Sequence, residues 1–290
     1  MKKKVKTRKK ITLQSVIMYI LLILTALMFA TPMLFTLLSS IKTKVEIFAK
    51  PFSWPEVPQW SNYVEAWTSA NMSHYFLNSL IQAGATVIVL AIVSTMAAYV
   101  LSRFDFKCNK FLLLFFMLGM MVPVHTVLVP VSYIIGALNL KNNIPALVMI
   151  YVAFSLPFSI LVVTNFMKGV NRSLEEAALI DGATYFQIYK NVMLPMTVPA
   201  ISTISIFNFL GAWNNILFPL LFINDKNLKP IALGLLNFNG ERGSDYGPLM
   251  AAIVITVAVP LVIYLLFQEK SRRRSGSGSC ERIGMRRKIK

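Results

Sequence analysis

An acidic segment lies between two long apolar blocks of this sequence, and its residue types suit contact with another protein. The segment begins with Glu176 and two alanines, passes through Asp181 and Gly182, and closes at Leu194-Pro195. Carboxylates can pair with basic groups of a partner, and alanines allow a partner's surface to approach closely. We predict that residues 171–196 form a loop that docks on a soluble partner. The alternative is an ordinary amphipathic connection between two spans.

The docking loop carries signals for two short helices. Ser173 and Glu176 have the spacing of a capping box, which predicts the start of the first helix. Gly182 supplies the backbone freedom that interrupts this helix. A second box begins at Thr184, and we expect its helix to end at Leu194-Pro195, because the residue before a proline disfavours the helical backbone region.

Polar side chains inside the apolar blocks form a second candidate site. Asn208 and Asn215 are seven residues apart and therefore share one face of a helix. Trp213 and Asn214 lie between them, and Asn78 raises the same question in an earlier block. Amides and an indole suit a neutral polyhydroxyl ligand, which offers hydroxyls and an apolar face. The alternative is that these amides bond to neighbouring helices.

Six long apolar blocks must position both sites. Hydrophobic residues make up 56% of the chain, and a helix needs about 20 apolar residues to cross a bilayer. None of the blocks has the polar stripe of a soluble core helix. The sequence therefore predicts an all-α polytopic membrane protein with six transmembrane helices, at 13–38, 76–101, 111–135, 144–167, 198–223 and 248–268.

The distribution of charge predicts the orientation of these spans. The net charge is +17, and 22 of the 29 Lys and Arg fall in alternate segments, at 1–12, 102–110, 168–197 and 269–290. Because cytoplasmic segments carry an excess of Lys and Arg, these four segments are predicted to be cytoplasmic. The N- and C-termini would then both be cytoplasmic.

The sequence offers little material for catalysis. It contains two histidines and neither the Gly-rich loop of a nucleotide-binding ATPase nor a paired His/Cys metal spacing. Charges are nearly absent from the six blocks, which argues against an ion-coupled relay. We therefore predict that the chain is not an enzyme and holds neither a metal nor a cofactor.

The docking loop resembles the EAA loop of ABC importer permeases. The shared pattern is Glu176-Ala-Ala-x-x-Asp-Gly-Ala183, then Tyr189, Val192, Leu194-Pro195 and Pro199, although the family often has Phe at the position of Tyr189. Other stretches resemble maltose-type sugar permeases in particular, and the resemblance spans residues 14–269. These stretches are Asn78-Ser-Leu80, Ala97-Ala-Tyr99, Arg103-Phe104, Gly211-Ala-Trp213-Asn214, Phe218-Pro-Leu220, Tyr246–Ala252 and Phe267-Gln268.

This resemblance implies the type I permease fold of ABC importers and a function in the prokaryotic cytoplasmic membrane. The loop would form a coupling helix seated on a separate ATPase subunit, which binds ATP and Mg²⁺. The resemblance implies that the contacts to this subunit come from Glu176, Ala177, Ala178, Asp181, Gly182, Ala183, Leu194 and Pro195. The other implied partners are a second homologous permease, a second ATPase copy, an extracytoplasmic solute-binding protein, a sugar or oligosaccharide, and membrane lipid, with no nucleic acid. A permease for a peptide or polyamine, or a membrane scaffold or sensor that recruits a soluble partner without transport, are the alternatives.

The chain divides into a basic tail at 1–12, a permease domain at 13–270 and a second basic tail at 271–290. Family members end in a Gly-Leu-x-Ala-Gly-Ala-Val-Lys-Gly stretch, which the second tail lacks. Codons can be chosen for Ser275 to Ile283 that read as such a stretch, followed by a stop, in another frame. The tail is therefore interpreted as a frameshifted ending, and a native or engineered basic tail is the alternative.

Overall fold

The computed structural model describes residues 13–68, 71–239 and 245–265, leaving out the side chains of residues 237 and 239. Both predicted tails lie outside these ranges. The helices within them are α1 (Leu13–Ser39), α2 (Lys44–Ala49), α3 (Ser61–Thr68), α4 (Met72–Arg103), α5 (Asn109–Met120), α6 (Val124–Ala137), α7 (Ile144–Lys168), α8 (Ser173–Ile180), α9 (Tyr185–Met196), α10 (Val198–Trp213), α11 (Leu217–Phe222), α12 (Ile231–Gly234) and α13 (Tyr246–Leu265). Two 3₁₀ turns, Lys226–Leu228 and Leu235–Asn239, flank α12.

Within the described residues, the prediction of an all-α membrane protein is confirmed, and the number of spans is between four and six. Helices α1, α4, α7 and α13 are long and apolar enough to cross a membrane, and the total is six if each of two bent helix pairs is one span. The third predicted block, 111–135, is such a pair, because α5 and α6 meet at 95°. Pro123 lies at this bend, where its missing N–H and its effect on the preceding residue interrupt a helix.

The fifth predicted span, 198–223, is wrong as a single helix. Helix α10 ends at Trp213, and Leu217–Phe222 form the separate helix α11. The apolar partner of α10 is instead α9, and the two are bent by 71°. Hydropathy alone could not separate these segments, because both helices and the break are apolar or carry uncharged side chains.

Helix α4 lies at the centre of the fold and packs against α7 and α10. Their contact surface continues into a cluster of buried apolar side chains that includes Tyr151, Phe209 and Phe222. Gln82 is fully buried in α4, and its side-chain Nε2 donates to the Ala212 carbonyl at 3.0 Å. Hydrogen bonds between helices therefore satisfy part of the polarity inside the bundle.

The segment between α1 and α4 is folded around a buried cation. Lys42 is fully buried, and its Nζ donates to the carbonyls of Lys50 at 2.7 Å and Pro51 at 3.0 Å. Asn62 donates to the carbonyls of Ser40 and Lys42, at 3.0 Å each. These bonds hold α2 and α3 against the end of α1.

Candidate functional site

Helix α8 begins the docking loop, but the predicted cap at Ser173 is wrong. Arg172 occupies the N-cap position with helical backbone angles, and Ser173 is the first helical residue. The Ser173 N–H donates instead to Oδ1 of Asn171, at 3.1 Å. The reason is that the helical backbone begins one residue early, so that an Asn side chain satisfies the free N–H group.

The predicted break at Gly182 is confirmed. Gly182 has φ +81°, a backbone conformation that residues with a side chain rarely adopt. Its N–H donates to the Leu179 carbonyl and the Ala183 N–H to the Ala178 carbonyl, both at 3.0 Å. This pair of bonds is a Schellman motif, which closes the end of α8.

The second helix of the loop starts as predicted and ends later than predicted. Thr184 accepts from the Gln187 N–H at 3.4 Å, and Gln187 Oε1 accepts from the Thr184 N–H at 2.8 Å. The prediction that Leu194-Pro195 ends this helix is wrong, because α9 continues to Met196. A π turn at Tyr189–Met193 precedes the proline and widens the helix, which relieves the clash that a proline ring makes within a regular helix.

The loop presents one exposed surface and one packed surface. Glu176, Ala177, Asp181 and Gly182 are exposed, and the side chain of Ile180 is 86% exposed. Of the other predicted contact residues, Pro195 is exposed too, whereas Ala178, Ala183 and Leu194 are half-buried. Ala178 and Ala183 pack on a buried cluster beneath the loop. An exposed aliphatic side chain beside two carboxylates gives this surface both apolar and charged groups.

An ion pair that the sequence reasoning missed anchors the loop. Arg103, at the end of α4, pairs with Glu175, and their side chains are 6% and 13% exposed. The guanidinium also donates to the Val170 carbonyl at 3.0 Å. Burial raises the pKa of the Glu175 carboxyl, and the charge of Arg103 opposes that shift. No pattern in the sequence signals this pair, because its two residues lie far apart along the chain.

Aromatic rings strengthen the same anchor. Tyr99 of α4 lies edge-on to Phe104 at 5.8 Å between ring centroids and contacts Tyr189 at 5.5 Å. Phe104 contacts Tyr185 at 5.2 Å. The hydroxyls of Tyr189 and Thr95 share a hydrogen bond of 2.8 Å, so the tyrosine makes a contact that a phenylalanine would lose.

The predicted substrate-path residues separate into buried and accessible groups. Asn208 is buried and donates to Ser159 Oγ at 3.0 Å and to the Ile204 carbonyl at 2.8 Å. Trp213 is fully buried, and its Nε1 donates to the Thr256 carbonyl at 3.2 Å. Both side chains bond to neighbouring helices, as the alternative interpretation held.

The prediction that Asn208 and Asn215 share one helical face is wrong, because α10 ends between them. Asn215 Oδ1 accepts from the Phe218 N–H at 3.1 Å and so satisfies a free N–H in the first turn of α11, whose N-cap position is Ile216. Asn214 is exposed at the break between α10 and α11. Asn78 donates to the carbonyls of Asn227 at 2.6 Å and Lys229 at 3.2 Å, which ties α4 to the segment before α12.

Across the ranges that the structure describes, no group of three or more His, Cys, Asp or Glu side chains is placed to hold a metal ion.

Comparison with known proteins places this chain in a family. The family described as "Binding-protein-dependent transport system inner membrane component" matches residues 88–276, which include the whole docking loop. A diacetylchitobiose uptake system permease of Streptomyces coelicolor is 38% identical over 265 residues, covering 91% of this chain and 87% of that protein. A probable ABC transporter permease of Bacillus subtilis is 35% identical over 276 residues, covering 95% and 92%.

The fold agrees with these sequence matches. A chain of a bacterial ABC transporter involved in the import of the acidic polysaccharide alginate superposes with a TM-score of 0.80 at 19% identity, covering 90% of this chain and 99% of that chain. This structural match supports the fold alone, whereas the sequence identity of the relatives above supports membership of the family. The chain therefore belongs to the family of binding-protein-dependent inner-membrane transport components and is a multi-pass permease of the ABC importer type.

Proposed function

We propose that this chain is a membrane-spanning subunit of an ATP-driven carbohydrate importer and that the exposed surface of α8 and Gly182 docks on an ATPase subunit. The observation that carries the proposal is the combination of an exposed docking surface with a buried anchor on α4. The names of two relatives support the substrate class, since one serves diacetylchitobiose uptake and another, 30% identical, is a probable permease for starch degradation products. The permease domain would comprise residues 13–270, with the docking loop at 171–196.

The docking surface suits a groove on a soluble protein. Ala177 lets the partner's backbone approach, Ile180 fills an apolar pocket, and Glu176 pairs with a basic side chain. The partner subunit would bind ATP and Mg²⁺ and hydrolyse the nucleotide, so that this chain carries no catalytic group. Closure of two such ATPase subunits would push the loop and move the helices behind it.

The complete importer would contain two ATPase subunits, a second related permease and an extracytoplasmic solute-binding protein. The family description supports the binding protein, because it names a dependence on one. The apolar surface of α1 supports a further membrane contact, because its most apolar stretch is 0% buried within this chain. Lipid and the second permease are the two surfaces that could cover it.

Reconstitution tests this function directly. The chain is co-purified with its partner ATPase, permease and binding protein and placed in proteoliposomes. Chitin-type and starch-type oligosaccharides, a peptide mixture and a polyamine are then supplied with ATP. We expect one oligosaccharide class to stimulate ATP hydrolysis and to accumulate inside. Stimulation by the peptide or polyamine alone would contradict the carbohydrate assignment, and docking without any uptake would indicate a scaffold.

We propose Asn214 as the substrate contact of this chain. Non-helical backbone at membrane depth is tolerated where it lines a cavity or is buried in protein, and Asn214 is the exposed amide at the break after α10. Asn208, Trp213 and Asn215 are proposed to support that break, and Asn78 to hold the segment before α12 on α4. Each of these side chains already bonds within the chain.

Two amides of the same segment provide matched variants for this proposal. Asn214→Ala is expected to raise the KM for uptake about fivefold, the equivalent of one hydrogen bond, without a change in Tm. Asn208→Ala is expected to lower Tm with an unchanged KM, because it removes the bond between α10 and α7. Uptake kinetics and thermal unfolding of both variants test whether Asn214 contacts the substrate. A raised KM in Asn208→Ala alone would assign the substrate contact to Asn208 instead.

A further inference from the structure

A basic cavity lies beside the docking loop, and its lysines play no part in the function proposed above. It has a volume of about 580 Å³ and is bounded by the end of α4, the connection to α5, the end of α7 and the start of α8. Its basic side chains are Arg103, Lys107, Lys110, Lys168 and Arg172. Asp105 is the single acid in its lining.

Most of this positive charge is free to meet a ligand. Arg103 is committed to Glu175, but Lys107, Lys110 and Lys168 are exposed and form no ion pair within the described ranges. Several free cations around one concavity repel one another, so the cavity is electrostatically suited to an anion with more than one oxygen.

The walls of the cavity are held in place by hydrogen bonds. Asn109 Nδ2 donates to the carbonyls of Leu101 at 3.2 Å and Phe104 at 2.9 Å, which fixes the connection between α4 and α5. Arg103 ties the opposite wall to the Val170 carbonyl at 3.0 Å. The cavity is therefore built into the fold rather than formed by loose side chains.

The position of the cavity favours an amphiphile. It lies where α4, α5 and α7, all parts of candidate spans, reach their ends, which is the depth of lipid headgroups. Leu113 of α5 lines it, and the neighbouring side chains of Phe111 and Leu114 are 66% and 52% exposed. A molecule with a phosphate in the cavity could lay its acyl chains along this apolar face.

We propose that the cavity binds the headgroup of an anionic phospholipid. The phosphate lies among Lys107, Lys110, Lys168 and Arg172, and the chains follow α5. Basic cavities of this kind between transmembrane helices bind acidic headgroups, and each cation near the membrane surface strengthens binding about fivefold. A soluble acidic protein would use the charge but not the apolar wall.

The full chain, purified and stripped of lipid in detergent, tests the proposal by native mass spectrometry. Phosphatidylglycerol, cardiolipin and phosphatidylcholine are titrated separately, and inorganic phosphate is added as a competitor. We expect the two anionic lipids to bind at least about tenfold more tightly than phosphatidylcholine, since several cations contribute. Millimolar inorganic phosphate should leave the lipid bound. Equal binding of all three lipids would overturn the proposal, and displacement by inorganic phosphate would assign the site to a free phosphate anion instead.

Variants locate the binding within the protein. Lys110→Gln/Lys168→Gln should weaken binding of the anionic lipids about tenfold or more, while Lys110→Arg/Lys168→Arg should retain it. The matched control, Lys141→Gln/Lys226→Gln, removes two exposed cations at the opposite end of α7 and should bind as the unaltered chain does. An equal loss in the control and the cavity variant would show attraction by net charge alone and would overturn the proposal.

Discussion

Replacing Gly182 by leucine is expected to reduce both carbohydrate uptake and substrate-stimulated ATP hydrolysis about tenfold. The glycine has φ +81°, and a Cβ built there meets no atom within 4 Å. The effect would therefore come from backbone strain, which costs about 1–2 kcal/mol for a residue with a side chain. Relief of that strain breaks the two bonds of the Schellman motif and turns α8 away from its docking position. Uptake and ATPase assays on the reconstituted importer measure the loss.

A matched variant separates strain from bulk. Asparagine tolerates the left-handed conformation far better than leucine, so Gly182→Asn should retain most of both activities. An equal loss in both variants would mean that any side chain at this position blocks the partner. Unchanged uptake in Gly182→Leu would contradict a coupling role for this turn.

Replacing Arg103 by methionine is expected to lower Tm by several degrees and to uncouple ATP hydrolysis from uptake. The substitution leaves the carboxyl of Glu175 buried without its partner, and breaking a buried pair in this way costs about 3–5 kcal/mol. It also removes the bond to the Val170 carbonyl. The docking loop would lose its attachment to α4, so that ATPase movement would reach the helices weakly. Thermal unfolding and the ratio of sugar transported to ATP hydrolysed are the measurements.

Two controls define what this loss means. The double variant Arg103→Met/Glu175→Leu should recover part of Tm, because no charge is left buried, but should not recover coupling. Lys50→Met breaks an ion pair whose side chains are 60% and 72% exposed, and we expect no measurable change from it. If Lys50→Met lowered Tm as much as Arg103→Met does, burial of the Arg103 pair would not be the cause.

The features that could be predicted from the sequence are those that depend on local chemistry. The left-handed turn needs a glycine, the box at Thr184 needs Gln187 three residues later, and the spans need only length and hydropathy. The cap at Ser173 failed because Asn171, two residues earlier, offered a competing acceptor. The end at Pro195 failed because a π turn absorbs the proline, and no local pattern announces a π turn.

Contacts between distant residues were beyond the reach of the sequence. Nothing in the spacing of Arg103 and Glu175 shows that the ends of α4 and α8 meet. Likewise, Asn208 looked like a ligand contact because polar groups in a span are costly, and its partner Ser159 lies on another helix. Such pairs become visible only when the packing of the helices is known.

Because of the π turn at Tyr189–Met193, the direction of the docking loop depends on how many residues this turn contains. A π turn holds one residue more than an α-helical turn, and each residue of a helix advances its face by about 100°. Deleting one residue between Tyr189 and Met193 would restore a regular turn and rotate the whole docking surface about α9 relative to α10. The direction in which Glu176 and Ile180 point towards the partner therefore depends on a single extra residue in the π turn, which lies apart from both of them.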